Sequence, residues 1–99
     1  MFSLTVQPEA LASAAAVLNG LGSTLRSGNT LAAGPTAGVT PAAADMVSAL
    51  TAAQFAAHAA MYQAVAARAA AVHDLLVATL DGSAGSYQTT EAANAVAAG

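Results

Sequence analysis

The chain has 99 residues, enough for one small domain and too few for a second core. Alanine fills 31 positions, isoleucine, tryptophan and lysine are absent, and Phe2, Phe55, Tyr62 and Tyr87 are the only aromatics, a composition that suits closely packed helices and lacks what strands require. Glu9, Arg26, Asp45, Arg68, Asp74, Asp81 and Glu91 give a net charge of -3, which leaves no basic stripe to neutralise nucleic-acid phosphates or an anionic membrane surface.

The first helix is expected over residues 8–33. Pro8 suits a first turn, where a missing N–H would be unpaired anyway, Gln7 is a weak cap, and Glu9 meets the positive end of the helix dipole. Leu11, Leu18 and Leu25 recur every seven residues and, with Leu21, make one seam. Val17 and Leu31 fall to one side of it, while Asn19, Ser23, Arg26 and Ser27 form the opposite face. Gly20, Gly22 and Gly28 each cost about 1 kcal/mol relative to alanine in a helix, so they suit a place where another backbone approaches closely. Gly34 followed by Pro35 is a stop signal, and the short linker from Gly34 to Thr40 makes the two helices antiparallel neighbours.

The second helix is expected over residues 41–81, with Thr40 as cap, Pro41 in the first turn, Asp45 near it, and Asp81–Gly82 as its end. On a helical wheel Met46, Leu50, Met61, Val65, Val72 and Leu75 share one sector, and Phe55, Tyr62, Ala69 and Leu80 adjoin it. Asp45, Gln63, Asp74 and Asp81 mark the solvent face. The apolar arc covers about half the cylinder, more than the ~100° stripe that one partner helix covers, and the second helix is also the longer. Gln54 and Arg68 fall inside the arc, where Arg68 either snorkels to solvent or meets an acceptor on a partner. Residues 46–67 carry no formal charge over a span of bilayer length, yet they are mostly alanine and contain Gln54, His58 and Gln63, which argues against insertion. Residues 1–82 thus read as a helical hairpin, and residues 83–99 as a flexible or weakly helical tail.

No chemistry is visible. His73 and Asp74 are neighbours that point about 100° apart on a helix, His58 and His73 lack a third ligand at any metal-site spacing, and cysteine is absent. Neither a nucleophile elbow nor a phosphate-cradling loop occurs, so no catalytic residue, metal or cofactor is assigned. A general secretory signal begins with positive charge, whereas the first basic residue is Arg26, so export would take another route. Three readings cover the apolar arc from the residues alone: a partner chain, a second copy in a homodimeric four-helix bundle, or, least favoured, a bilayer spanned by residues 46–67.

Two short motifs narrow the choice. Pro8–Glu9 opens the first helix, and Tyr87-Gln-Thr-Thr-Glu91 follows the second. Set at the two ends of an alanine-rich hairpin, with Pro41, Ala42, Ala43, Ala44, Asp45 and Val47 between them, they make the chain resemble the PE domain of mycobacteria over nearly its whole length. The resemblance implies an all-α antiparallel hairpin that completes a four-helix bundle with a PPE-family protein. It also implies an EspG-type chaperone holding that partner in the cytosol, and export of the pair by a type VII (ESX) secretion system. Tyr87 and Glu91 then form the export signal, Pro8 and Glu9 the family motif. The partner interface is expected at Leu11, Leu18, Leu25, Leu50, Phe55, Met61, Tyr62, Val65, Arg68, Val72 and Leu76. The Trp-x-Gly turn of such pairs belongs to the partner, since this chain has no tryptophan. A sequence stopping at Gly99 reads as a PE-only protein or as part of a longer one.

Overall fold

A computed structural model describes residues 5–99. Two helices account for nearly all of them, α1 (Pro8–Ala37) and α2 (Met46–Ala98), and no strand occurs among the described residues. The chain is an all-α helical hairpin.

Helix α1 begins where the sequence places it. The Gln7 carbonyl accepts from the backbone N–H groups of Ala10 and Leu11 at 3.0 and 3.4 Å. Its end differs from expectation, because the helix runs through Pro35 to Ala37. Proline disfavours helical geometry in the residue before it by crowding that residue's N–H and Cβ, and Gly34, with no Cβ, escapes part of the clash. Thr36 donates its hydroxyl to the Ala32 carbonyl at 2.6 Å, and the Gly38 N–H closes the turn on the Gly34 carbonyl at 2.9 Å. A Cβ at Gly38 would sit 3.1 Å from that same oxygen, so the smallest residue fits the closure.

Helix α2 starts at Met46 rather than residue 41, because Asp45 is a stronger cap than Thr40. Its carboxylate accepts from the Ser48 backbone N–H at 2.8 Å and from the Ser48 hydroxyl at 3.1 Å. Those two bonds, the backbone one foremost, hold the Asp45 pKa below its usual value. The connection between the helices is therefore residues 38–45 rather than 34–40. At the other end α2 passes through Gly82 without a break and reaches Ala98, so the tail takes the helical of its two expected forms. Gly82 does not adopt the left-handed conformation of a stop; Gly99 does, with φ of 72°, and its N–H returns to the Val96 carbonyl at 3.2 Å.

The chain divides into two units, each pairing a stretch of α1 with a stretch of α2. One holds residues 5–22 and 73–99. There Pro8, Ala15 and Gly22, seven apart, are buried, as is Ala84, with Leu11, Leu18, His73, Val77 and Leu80 half-buried. His73 donates from Nε2 to the Leu18 carbonyl at 2.6 Å. The other unit holds residues 23–72. Ala59 is buried in it, and Asn29, Ala32, Ala52, Ala56, Gln63, Ala66 and Ala70 are half-buried. Gln63 Nε2 donates to the Asn29 carbonyl at 3.0 Å, the Tyr62 hydroxyl to Asn29 Oδ1 at 3.2 Å, and the Arg26 guanidinium to the Ala70 carbonyl at 3.4 Å.

The internal seam is thus built from small residues at heptad spacing. Ala15, Ala59 and Ala84 are 1%, 9% and 4% exposed, and no large side chain is fully buried among the described residues. Three expectations are corrected. Leu11 and Leu18 only flank the seam, and Leu21 and Leu25 lie outside it, because a leucine row would hold the backbones further apart than the alanine and glycine row does. Gln63 is half-buried rather than solvent-facing, because a carbonyl within reach satisfies its amide. Arg26 is exposed yet reaches across to α2 rather than lying on the face away from it. The glycines divide: Gly22 is buried, while a Cβ at Gly20 or Gly28 would meet nothing within 4 Å.

Candidate partner interface

With alanine and glycine taking the seam, the large apolar side chains have nowhere inside to go. In the unit of residues 23–72, Gln54, Met61 and Arg68 form one row along α2, seven apart, and His58, Val65 and Val72 form the adjacent row. All six are exposed, Met61, Val65 and Val72 at 64–67%. Leu50 continues this face toward the start of the helix. Phe55 and Tyr62 form a further row nearer the seam, each with 58% of its surface open. The Tyr62 ring is held by its hydroxyl on Asn29, so its orientation is fixed while its face stays open. Leu25 is likewise exposed on α1.

The same unit carries two shallow, mostly apolar grooves. An open groove of about 570 Å³ is lined by Pro35, Val39, Phe55, His58 and Tyr62, among others. A smaller one of about 230 Å³ lies among Val39, Pro41, Val47, Thr51 and Phe55, so the Phe55 ring borders both. Such a surface of ridges and hollows suits interdigitation with the side chains of another helix. His58 and Tyr62 are the titratable side chains that line these grooves.

In the other unit, of the expected interface residues, Leu11 and Leu18 are half-buried and Leu76 is exposed. Pro8 of the first motif is buried and Glu9 is exposed at the first turn of α1. Tyr87 and Glu91 lie one turn apart on α2, and every residue from Gly85 to Gly99 is exposed, so a ring and a carboxylate are presented side by side on one helical face. Asp74 is exposed, while the His73 ring is committed to the Leu18 carbonyl.

Sequence reasoning missed His73, Gln63 and Asn29 as cross-helix ties. Their signal was register. Ala52, Ala59, Ala66, His73 and Leu80 stand seven apart, as do Ala56, Gln63, Ala70, Val77 and Ala84, so each polar residue occupies a position its heptad neighbours fill with seam residues. Among the described residues no group of three or more His, Cys, Asp or Glu could hold a metal ion, and no helix is long and apolar enough to cross a membrane.

Residues 4–94 match the PE family. The chain is 65% identical over 91 residues to the PE family protein PE13 of Mycobacterium tuberculosis, an alignment covering 92% of each chain. It is 48% identical to PE8 of the same organism, across 99% of this chain but 36% of PE8. It is 49% identical to PE cleavage protein A, across 93% of this chain and 16% of that protein. The sequence therefore spans nearly all of PE13 and only a minor part of the two longer relatives.

Proposed function

This chain belongs to the PE family, and on that premise we propose that it is a non-enzymatic interaction subunit that pairs with a PPE-family protein and is exported with it by a type VII (ESX) secretion system. Two hairpins, one from each chain, form a four-helix bundle, and the pair is held in the cytosol by an EspG-type chaperone bound to the PPE chain. After export the pair is secreted or remains at the cell envelope. No cofactor, nucleic acid or small-molecule substrate takes part.

One observation carries this reading: the hairpin spends its small residues on its own seam and leaves its large apolar ones uncovered. Its accessible surface is 7373 Å², whereas a compact folded monomer of 9.5 kDa exposes about 5,000 Å². The difference is comparable to what a chain contributes to a large obligate interface. A second chain laid along the hairpin would cover part of that excess, with Leu50, Phe55, Met61, Tyr62, Val65 and Val72 among the side chains it takes from water.

Expression alone and together with a PPE protein tests the proposal. Alone, the chain is expected to be poorly soluble or only partly helical by circular dichroism. Together, the two are expected to elute as a 1:1 complex by light scattering. A chain that folds by itself as a cooperative, fully helical monomer, or as a stable dimer indifferent to PPE proteins, would overturn the reading.

A further inference from the structure

Arg68 sits on the outer row of the exposed face of α2, beside Met61, Val65 and Val72. It is the only formally charged residue from Met46 to His73. A partner that covers this face removes water from the guanidinium, and a buried charge is retained only where a counter-charge and hydrogen bonds replace that water. The chain itself supplies none there. Asp74 and Asp81, six and thirteen residues on, fall about 120° and 140° round the helix from Arg68 at ~100° per residue. The Asp45 carboxylate is taken by Ser48, Glu9 stands in the first turn of α1, and Glu91 lies on the last turns of α2.

A second copy of this chain cannot answer the charge either. Laid against the same face, it would offer Gln54, His58, Met61, Val65, Arg68 and Val72, a set with no carboxylate and another arginine. The face excludes itself and asks for one acid.

Resting on the pairing reading above, we infer that the partner is an apolar helix carrying a single carboxylate opposite Arg68, and that this ion pair fixes which PPE protein is accepted and in what register. A polar residue inside an apolar helix interface acts in this way elsewhere, because every shifted or mismatched arrangement leaves it without its partner.

The test uses the full chain, co-expressed with the PPE protein it pairs with, and the variants Arg68→Met and Arg68→Glu. Far-UV circular dichroism first establishes that both variants are as helical as the native chain, as expected for an exposed position. Arg68→Met fills the space but strands the partner's carboxylate, so its pairing should weaken at least about a hundredfold at pH 7 and recover as the pH falls toward 4 and that carboxylate takes up a proton. Arg68→Glu should pair more weakly still, with pairing restored by a Lys at one acidic position of the partner's helices. Arg68→Met pairing as tightly as the native chain, with no change between pH 7 and pH 4, would show that Arg68 merely snorkels to the rim, and would overturn this inference while leaving PE–PPE pairing intact. A stable dimer of the native chain through this face would overturn both.

Discussion

Placing Asp at Val65 measures the function of the exposed face directly. Val65 is 64% exposed in the hairpin, and burying a whole valine side chain is worth about 1.5–3 kcal/mol, so its remaining burial in a complex is worth about 1–2 kcal/mol. An unpaired carboxylate in a desolvated seam adds a penalty of about 3–5 kcal/mol. Together they weaken pairing by about 4–7 kcal/mol, and at about 1.4 kcal/mol per decade this is about three to five decades in Kd. The matching control is Ala67→Asp, also exposed but about 200° round the helix, on the far side. It carries only the helix-propensity cost of aspartate, about 0.7 kcal/mol or less, so Kd should shift by no more than about threefold. Dilution of each co-expressed pair, followed by light scattering, gives both constants, and circular dichroism compares the helicity of the assembled pairs. If the two variants bind alike, or if Val65→Asp stays within tenfold of native, the face is misassigned.

Three further outcomes bear on other parts of the molecule. Ala15→Leu forces a large side chain into the closest part of the seam and should destabilise the assembled pair by about 1–3 kcal/mol in thermal unfolding, whereas Ala16→Leu, exposed next door, should stay within about 0.5 kcal/mol. Asp45 has its folded pKa lowered from 3.8 by the Ser48 bonds, so its contribution is complete at neutral pH and is lost as pH falls through the lowered value. Asp45→Ala should therefore fray the start of α2 at pH 7, with the difference from the native chain shrinking as pH falls below the usual carboxylate range, read by helix content against pH. Tyr87→Ala and Glu91→Ala should leave the PPE complex assembled with its thermal midpoint nearly unchanged, yet the intact pair should accumulate in the cytosol. Normal secretion of either variant removes the export-signal reading.

The existence of two helices was legible because proline, glycine and alanine mark helices strongly whatever packs around them, and Pro8 fixed one boundary. Two stop signals do not act as stops: Gly34, without a Cβ, relieves part of the crowding before Pro35, and Gly82 keeps a helical backbone inside α2, which runs on to Ala98. The outward face was also legible, since Met61, Val65 and Val72 share a sector on any wheel. What sequence reasoning concealed was the seam. It assigns cores by large apolar side chains and so placed Leu11, Leu18 and Leu25 there, while the buried positions, Pro8, Ala15, Gly22 and Ala84 in one unit and Ala59 in the other, carry small side chains. Gln63 looked solvated for the same reason: only a close backbone carbonyl makes its half-buried position tolerable.

That closeness has a consequence for how the chain tolerates change. His73, Gln63 and Arg26 each reach the other helix and end on a main-chain oxygen, of Leu18, Asn29 and Ala70 respectively. A carbonyl survives every substitution of its own residue. These three bonds therefore do not depend on which side chain the acceptor residue carries, while the half-buried Leu18, Asn29 and Ala70 are held only by their packing and, for Asn29, by Tyr62. For the bonds themselves only the three donors are bound to their identities. Divergence of the outward surface is thereby uncoupled from retention of the scaffold, which lets a lineage of such hairpins acquire different partners while their own fold stays the same.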